Sequence, residues 1–178
     1  MSLDEFIKRE HAILWDLISL YNKIPNPFTY YQIDFFAHHW CDYYGEKTFR
    51  NKGFDGISKN ALKKAKKYKL NCKDWKFFVD WKKNNDIVEG IKLFTAGNKY
   101  SPKDKLFHGE HHLPRSQIVG LLIKATSIKN MTEILSKSKF YIITSEENAL
   151  LTEKHWSRNR PEDAYDQLGI DIIEDYWD

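Results

Sequence analysis

Apolar residues recur at helical spacing near the start of the chain. The apolar positions are Leu3, Phe6, Ile7, Ile13, Leu14, Leu17, Ile18 and Tyr21. This spacing predicts an amphipathic helix over residues 3 to 23, and Pro25 and Pro27 block its continuation. A second helix, rich in aromatic residues, is predicted from Thr29 to Tyr44, and a glycine-bearing loop follows from residue 45 to residue 56.

The middle of the chain is strongly basic. The stretch "SKNALKKAKKYK" predicts a helix with one apolar face and one lysine face, the latter formed by Lys59, Lys63, Lys66 and Lys67. Asn71 is a candidate N-cap for a second basic helix over "CKDWKFFVDWKK". Residues 59 to 83 contain ten lysines and two aspartates, a net charge of +8, whereas the whole chain carries +3. Such a segment indicates a polyanion partner such as nucleic acid, although a solvated helix face gives the same pattern.

The pattern changes near Gly90. The runs "GIKLFTA", "KLFHG" and "KFYIIT" are typical of short strands, and "SQIVGLLIKA" and "NMTEILSKS" are typical of helices. Thr144 and Glu147 form a capping box that predicts one more helix after the last of these strands. We therefore expect an α+β fold, with a mainly helical, lysine-rich part over residues 1–89 and a mixed part over residues 90–178. One continuous domain is the alternative, because no clear linker separates the two parts.

Composition narrows the class of protein. The 178 residues are 42% apolar, enough for one domain of ordinary size or two very small ones. The two cysteines form no CxxC pair, which favours a reduced compartment and excludes a zinc knuckle, so no structural zinc is expected. No signal peptide is predicted, and the longest apolar run is too short to span a bilayer. A cytoplasmic protein without a membrane partner is expected.

The stretch "GEHHLPRS", residues 109 to 116, places a glutamate and two histidines just before a proline. It follows a predicted strand, and a second strand and a helix come after it. This order, over about residues 104 to 165, resembles the HNH, or ββα-metal, endonucleases, whose Glu-His-x-Leu-Pro variant it matches letter for letter. Residues 90–178 are accordingly expected to be an HNH-like catalytic part, and residues 1–89 a DNA-binding part.

The resemblance implies a role for each residue of the motif. Glu110 and Asn148 hold one divalent metal ion, Mg²⁺ or else Mn²⁺, and His111 is the general base. Glu110 and His111 can share a site only if the strand has already bent there, because neighbouring strand residues face opposite sides. Pro114 and Gly109 support such a bend. Asn159 is a weaker candidate for the metal site and is expected, like Pro114, to have a structural role.

The chain also departs from the family. Lys139 stands where many members have an asparagine that braces the loop, and the zinc-binding cysteine pairs of many members are absent. "NRPEDAY" supplies the proline and tyrosine found further along in several branches, as Pro161 and Tyr165.

Other assignments of the same residues stay open. His111 could be the ligand and His112 the base, or His155, seven residues after Asn148, could be the ligand or a phosphate contact on the helix. The motif could also be an ordinary polar turn. The candidate nucleic-acid contacts are Arg115, Arg158, Arg160, Lys63, Lys66 and Lys67.

These observations predict a metal-dependent endonuclease that acts on double-stranded DNA, as in restriction, phage or mobile-element systems. One such site cuts one strand, so a double-strand cut would need a homodimer or a second binding event. A non-catalytic nucleic-acid-binding or adaptor protein with a degenerate site is the alternative from another class. A toxin-type or RNA-directed nuclease would use the same chemistry.

Overall fold

The computed structural model describes residues 3–40, 54–72, 87–88, 91–94 and 105–177. The helices in this part of the chain are α1 (Leu3–Lys23), α2 (Pro27–His39), α3 (Lys59–Lys67), α4 (Arg115–Leu122), α5 (Ile128–Ser136), α6 (Ser145–Glu153) and α7 (Ala164–Gln167). The strands are β1 (Gly56–Ser58), β2 (Ile87–Val88), β3 (Ile91–Phe94), β4 (Lys105–His111), β5 (Phe140–Thr144) and β6 (Ile172–Glu174).

The strands form one mixed sheet in the order β2-β3-β4-β5-β1-β6. Strand β4 is antiparallel to β5 and parallel to β3. Strand β1 is parallel to β5 and antiparallel to β6, so it lies inside the sheet. Helices and a mixed sheet in one chain confirm the α+β class.

The predicted helices can be compared with the observed helices at their first and last residues. Helix α1 occupies the predicted residues, and α4 and α5 form where two helices were predicted. Helix α2 begins at Pro27, two residues before its predicted start, because the Asn26 side chain accepts a hydrogen bond from the Thr29 amide at 2.8 Å and caps it. The predicted end of that helix at residues 41–44, most of the following loop and the second basic helix from residue 73 lie outside the described residues.

Strand β1 corrects the predicted loop, which was extended to Gly56. The three residues of β1 are buried between β5 and β6. A Cβ at Gly56 would lie 2.7 Å from the carbonyl oxygen of Ile173, so only glycine lets β6 approach this closely. Three buried residues show no alternation of apolar and polar positions, which is why the pattern did not reveal them.

Two apolar cores cover the two faces of the sheet. On one face, Ala61 and Ala65 of α3 pack with Phe140 and Ile142 of β5. On the other face, helices α6 and α7 pack against the alternate residues of the same strand. A third core joins α1, α2, α4 and α5 and includes Leu113.

The predicted division at residue 89 does not follow these cores. Strand β1 and helix α3 precede residue 89 and belong to the same sheet and core as β4 and β5. The helical core likewise combines residues of α1 and α2 with residues of α4 and α5. Residues on both sides of position 89 therefore share the sheet and these two cores. Among the described helices, none is both long and apolar enough to cross a membrane.

The side chain of Glu147 connects α6 to β1 and α3 through hydrogen bonds. The predicted capping box is confirmed, since Thr144 and Glu147 bond each other's main-chain amides at 2.8 and 3.1 Å. The buried Glu147 carboxylate also accepts from Ser58 Oγ at 2.6 Å and from Asn60 Nδ2 at 3.0 Å. The start of α6 is therefore fixed to the start of α3 across 87 residues or more of sequence.

His11 is buried in the helical core. Thr132 Oγ1 donates to the Ile128 carbonyl at 2.9 Å, so its contact with His11 Nδ1 at 3.3 Å makes that nitrogen the donor. His11 Nε2 is buried and meets no hydrogen-bond partner in the described part of the chain. Burial lowers the pKa of His11, because a proton on Nε2 would carry a charge into the core.

We expect stability to fall as pH drops below about 6.5, the ordinary histidine pKa, because the unfolded chain then protonates His11 more readily than the folded chain does. The His11→Leu variant lacks this titrating group. Its free energy of unfolding should therefore fall less than that of the wild type over the same drop in pH. The free energy of unfolding in urea, measured for both at pH 7.5 and at about pH 5.5, tests this. Equal losses in the two proteins would contradict it.

Candidate active site

A cleft of about 840 Å³ lies beside β4 and α6. Strand β4 and the first residues after it form one wall, α6 forms another, and α2 contributes Asp34. The polar side chains that line it include Lys105, His108, Glu110, His111, Arg115 and Asn148. The three groups that the sequence predicts to act together, Glu110, His111 and Asn148, thus line one cavity.

Strand β4 presents the motif in an extended conformation. Glu110 pairs with Tyr141 and His111 pairs with Phe140, so the two side chains leave opposite sides of the strand. The His111 ring packs against Phe140 at 4.7 Å between centroids. The expected bend at this point is therefore wrong, because the strand continues through His111 and turns only afterwards. Both residues nevertheless line the cleft, although their side chains leave opposite sides of the strand.

Both carboxylate oxygens of Glu110 have protein partners. Oε1 forms an ion pair with Arg160 Nη2, and Oε2 lies 3.0 Å from His108 Nε2. Burial alone would raise the pKa of Glu110, but the hydrogen bond from His108 and the charge of Arg160 outweigh it and hold the pKa well below its usual range. Glu110 is thus an ionised carboxylate in a fixed orientation.

Arg160, expected to contact phosphate, is 3% exposed and bound within the protein. Its Nη1 donates to the carbonyls of His111 at 2.6 Å and His112 at 3.2 Å, and its Nε donates to the Trp156 carbonyl at 3.2 Å. Its main chain exchanges two hydrogen bonds with the Gln117 side chain, at 2.8 and 2.9 Å. Arg160 therefore holds the turn after β4 against α4.

His112 lies away from the cleft. Its ring stacks on Tyr165 with centroids 5.4 Å apart and meets Tyr141 edge-on at 5.8 Å. Burial, followed by the positive charges of Arg160 and Lys139, lowers its pKa. His112 does not line the cavity, so this placement does not favour its alternative role as the general base.

Lys139 braces the turn through its main chain. Its carbonyl accepts a hydrogen bond from the His112 amide at 2.8 Å, and its Nζ lies 2.6 Å from Glu174 Oε2. A main-chain carbonyl therefore holds the turn at the position where the resemblance predicts an asparagine side chain.

The remaining predicted residues divide into two groups. Pro114 and Arg115 line the cleft at the start of α4. His155, Arg158 and Asn159 are exposed and do not line it. Helix α6 ends at Glu153, and His155 has a left-handed backbone with φ 58°, so His155 is not on the helix face of Asn148 as was predicted.

Lys105 and His108 are among the cleft residues that the sequence analysis did not predict. Lys105 Nζ lies 2.8 Å from His108 Nδ1. Because His108 also contacts Glu110, and Glu110 contacts Arg160, the four side chains form one continuous series of contacts. His108 precedes Glu110 by two residues, and period-two alternation places both on the same side of a strand. That alternation could have indicated His108, whereas nothing in the sequence pattern marked Lys105.

Comparisons of the chain with protein-family models, with curated proteins and with solved structures found no match. Within the described ranges, no group of three His, Cys, Asp or Glu side chains could hold a metal ion.

Replacing Arg160 should destabilise the fold. Arg160→Met removes one of the two partners of the Glu110 carboxylate and the guanidinium donor to two carbonyls, and we expect a loss of about 3–5 kcal/mol in the free energy of unfolding. Arg158→Met is the matched control, since that arginine is exposed and should change stability by less than about 0.5 kcal/mol. Chemical denaturation measures both, and similar small losses would show that Arg160 is not structural.

Proposed function

We propose that this chain is a metal-dependent endonuclease of HNH type that hydrolyses DNA phosphodiester bonds, as in restriction, phage or mobile-element systems. One observation carries the proposal: Glu110, His111 and Asn148 line a single cleft. The elements that bear them are two antiparallel strands, β4 and β5, and helix α6, which contacts both strands. This order of strand, strand and helix is the one that the resemblance to the HNH endonucleases implies.

The donor chemistry fits a divalent cation. Each carboxylate oxygen has two lone pairs, so Glu110 keeps acceptor capacity beside its bonds to Arg160 and His108. Asn148 brings an amide to the same cleft, and oxygen donors of these two kinds are the ones that Mg²⁺ and Mn²⁺ prefer. A cation held by Glu110 and Asn148 would neutralise charge that develops on the phosphate and on the leaving 3′ oxygen.

His111 is the group that accepts the proton of the attacking water in this proposal. Imidazole exchanges protons near neutral pH and is the commonest general base in hydrolysis. The ring is held against Phe140, and it lines the same cavity as the proposed ligands. Arg115, which also lines the cleft, is suited to contact the phosphate.

Helix α3 supplies the DNA-binding surface in this proposal. Lys63, Lys66 and Lys67 are exposed on it. Lys64 Nζ contacts Glu146 on α6 at 2.6 Å, so α3 borders the first turn of the helix that carries Asn148. The proposal requires that a duplex bound along these lysines extends from α3 to the cleft beside α6.

A non-catalytic nucleic-acid-binding protein is the second candidate. Both oxygens of Glu110 already have protein partners, and this favours a structural carboxylate over a metal ligand. Incubation of supercoiled plasmid with the purified protein, with Mg²⁺ or Mn²⁺ and with or without a chelator, separates the two. Metal-dependent nicking supports the endonuclease, whereas a mobility shift without nicking supports the second candidate.

Removing the proposed base should abolish cleavage and spare binding. We expect His111→Ala to lower the nicking rate about a hundredfold or more while the affinity for DNA stays near that of the wild type. His112→Phe is the matched control, because it keeps a ring against Tyr165 and should retain activity. Wild-type nicking by His111→Ala would overturn the assignment, and loss of activity in His112→Phe alone would favour the rival base.

Neutralising the lysine face of α3 should weaken DNA binding. The variant replaces Lys63, Lys66 and Lys67 together by glutamine. The magnitude of the slope of log affinity against log salt concentration should fall by about 0.9 for each phosphate that the helix no longer neutralises. The same change at three exposed lysines elsewhere, Lys8, Lys124 and Lys129, is the control. Fluorescence anisotropy with a labelled duplex gives both slopes, and an unchanged slope in the first variant removes α3 from the interface.

A further inference from the structure

Lys105 is a buried lysine at the start of β4. It is 5% exposed and lines the cleft together with His111, Arg115 and Asn148. Its position is fixed by its main chain, since the Lys105 carbonyl accepts a hydrogen bond from Ser145 Oγ at 2.6 Å. Lysine is almost never buried to this extent without a partner for its charge.

The partner of Lys105 is a histidine ring and not a carboxylate. Lys105 Nζ lies 2.8 Å from His108 Nδ1. The other ring nitrogen, His108 Nε2, lies 3.0 Å from Glu110 Oε2, so the imidazole separates the lysine from the carboxylate. The second oxygen of Glu110 faces Arg160 directly.

The ammonium group also has donors to spare. It offers three N–H groups, and in the described part of the chain only the contact with His108 engages one of them. Burial lowers the pKa of Lys105, and the charge of Glu110 opposes that effect. An anion in the cleft would favour the charged form of Lys105 and would accept the unused donors.

We propose that Lys105, together with Asn148 and Arg115, which line the same cleft, forms a phosphate-binding subsite. Lys105 contributes the buried charge, and the other two contribute donors that can meet further oxygens of a tetrahedral anion. The subsite extends the proposed function, and only the identification of the phosphate as that of DNA rests on that function. Asp34 and Glu153 also line the cleft, so their negative charges should weaken the binding of a small free anion.

The test measures binding in the presence of a chelator, so that no metal bridges the anion to the protein. Inorganic phosphate, thymidine 5′-monophosphate and a DNA duplex are titrated separately by calorimetry. Lys105→Met should weaken binding of the first two about tenfold or more, and Lys105→Arg should retain part of it. Lys154→Met, at an exposed lysine outside the cleft, should bind like the wild type.

Thermal unfolding with and without phosphate controls for misfolding. A ligand that binds only the folded state raises the melting temperature, so phosphate should stabilise the wild type and Lys154→Met but not Lys105→Met. Absence of phosphate binding by the wild type, or equal binding by Lys105→Met, would overturn the subsite. Binding of the duplex alone, unaffected by Lys105→Met, would also overturn it.

The outcomes separate the two proposals. Phosphate binding that depends on Lys105, in a protein that never nicks DNA, would leave the subsite standing and remove the endonuclease. Metal-dependent nicking with a KM unchanged by Lys105→Met would do the reverse.

Discussion

The buried charge of Arg160 is the constraint on which the arrangement of the cleft depends. A guanidinium taken out of water is costly unless its donors find acceptors, and those of Arg160 meet Glu110 and the carbonyls of His111, His112 and Trp156. These acceptors lie on β4, on the turn after it and beyond the end of α6. The Arg160 guanidinium that aligns Glu110 therefore also fixes the turn after β4. The orientation of the Glu110 carboxylate and the path of the chain are thus determined together.

Much of the fold follows from local patterns in the sequence. The apolar spacing of α1 and the capping box at Thr144 each involve residues within a few positions of one another, and both are confirmed. Strand β5 is a compact run of β-branched and aromatic residues, and its identity was likewise evident. The Glu-His-His-Leu-Pro motif indicated the position of the cleft, because the strand before it and the helix of Asn148 were both predictable.

The features that escaped prediction depend on distant parts of the chain. Strand β1 is a strand only because β5 and β6 flank it, and three residues carry no period of their own. Arg160 resembles any exposed arginine until the turn after β4 is seen to surround it. The role proposed for Lys105 depends on its contact with His108 and on its position in the cleft, and neither is evident from the sequence. The brace that the family resemblance assigned to a side chain at position 139 is supplied by the main chain, which a pattern of side chains cannot reveal.

The hydrogen bonds of Glu147 determine which elements would have to accompany the cleft if it were transferred to another protein. Its carboxylate needs Ser58 and Asn60, which belong to β1 and α3, before α6 can begin where it does. A segment containing only β4, β5 and α6 would keep the recognisable motif but lose two donors to the Glu147 carboxylate. The three-element unit is therefore not a self-sufficient cassette that could be grafted onto another protein, and any exchange between relatives would have to carry β1 and α3 with it.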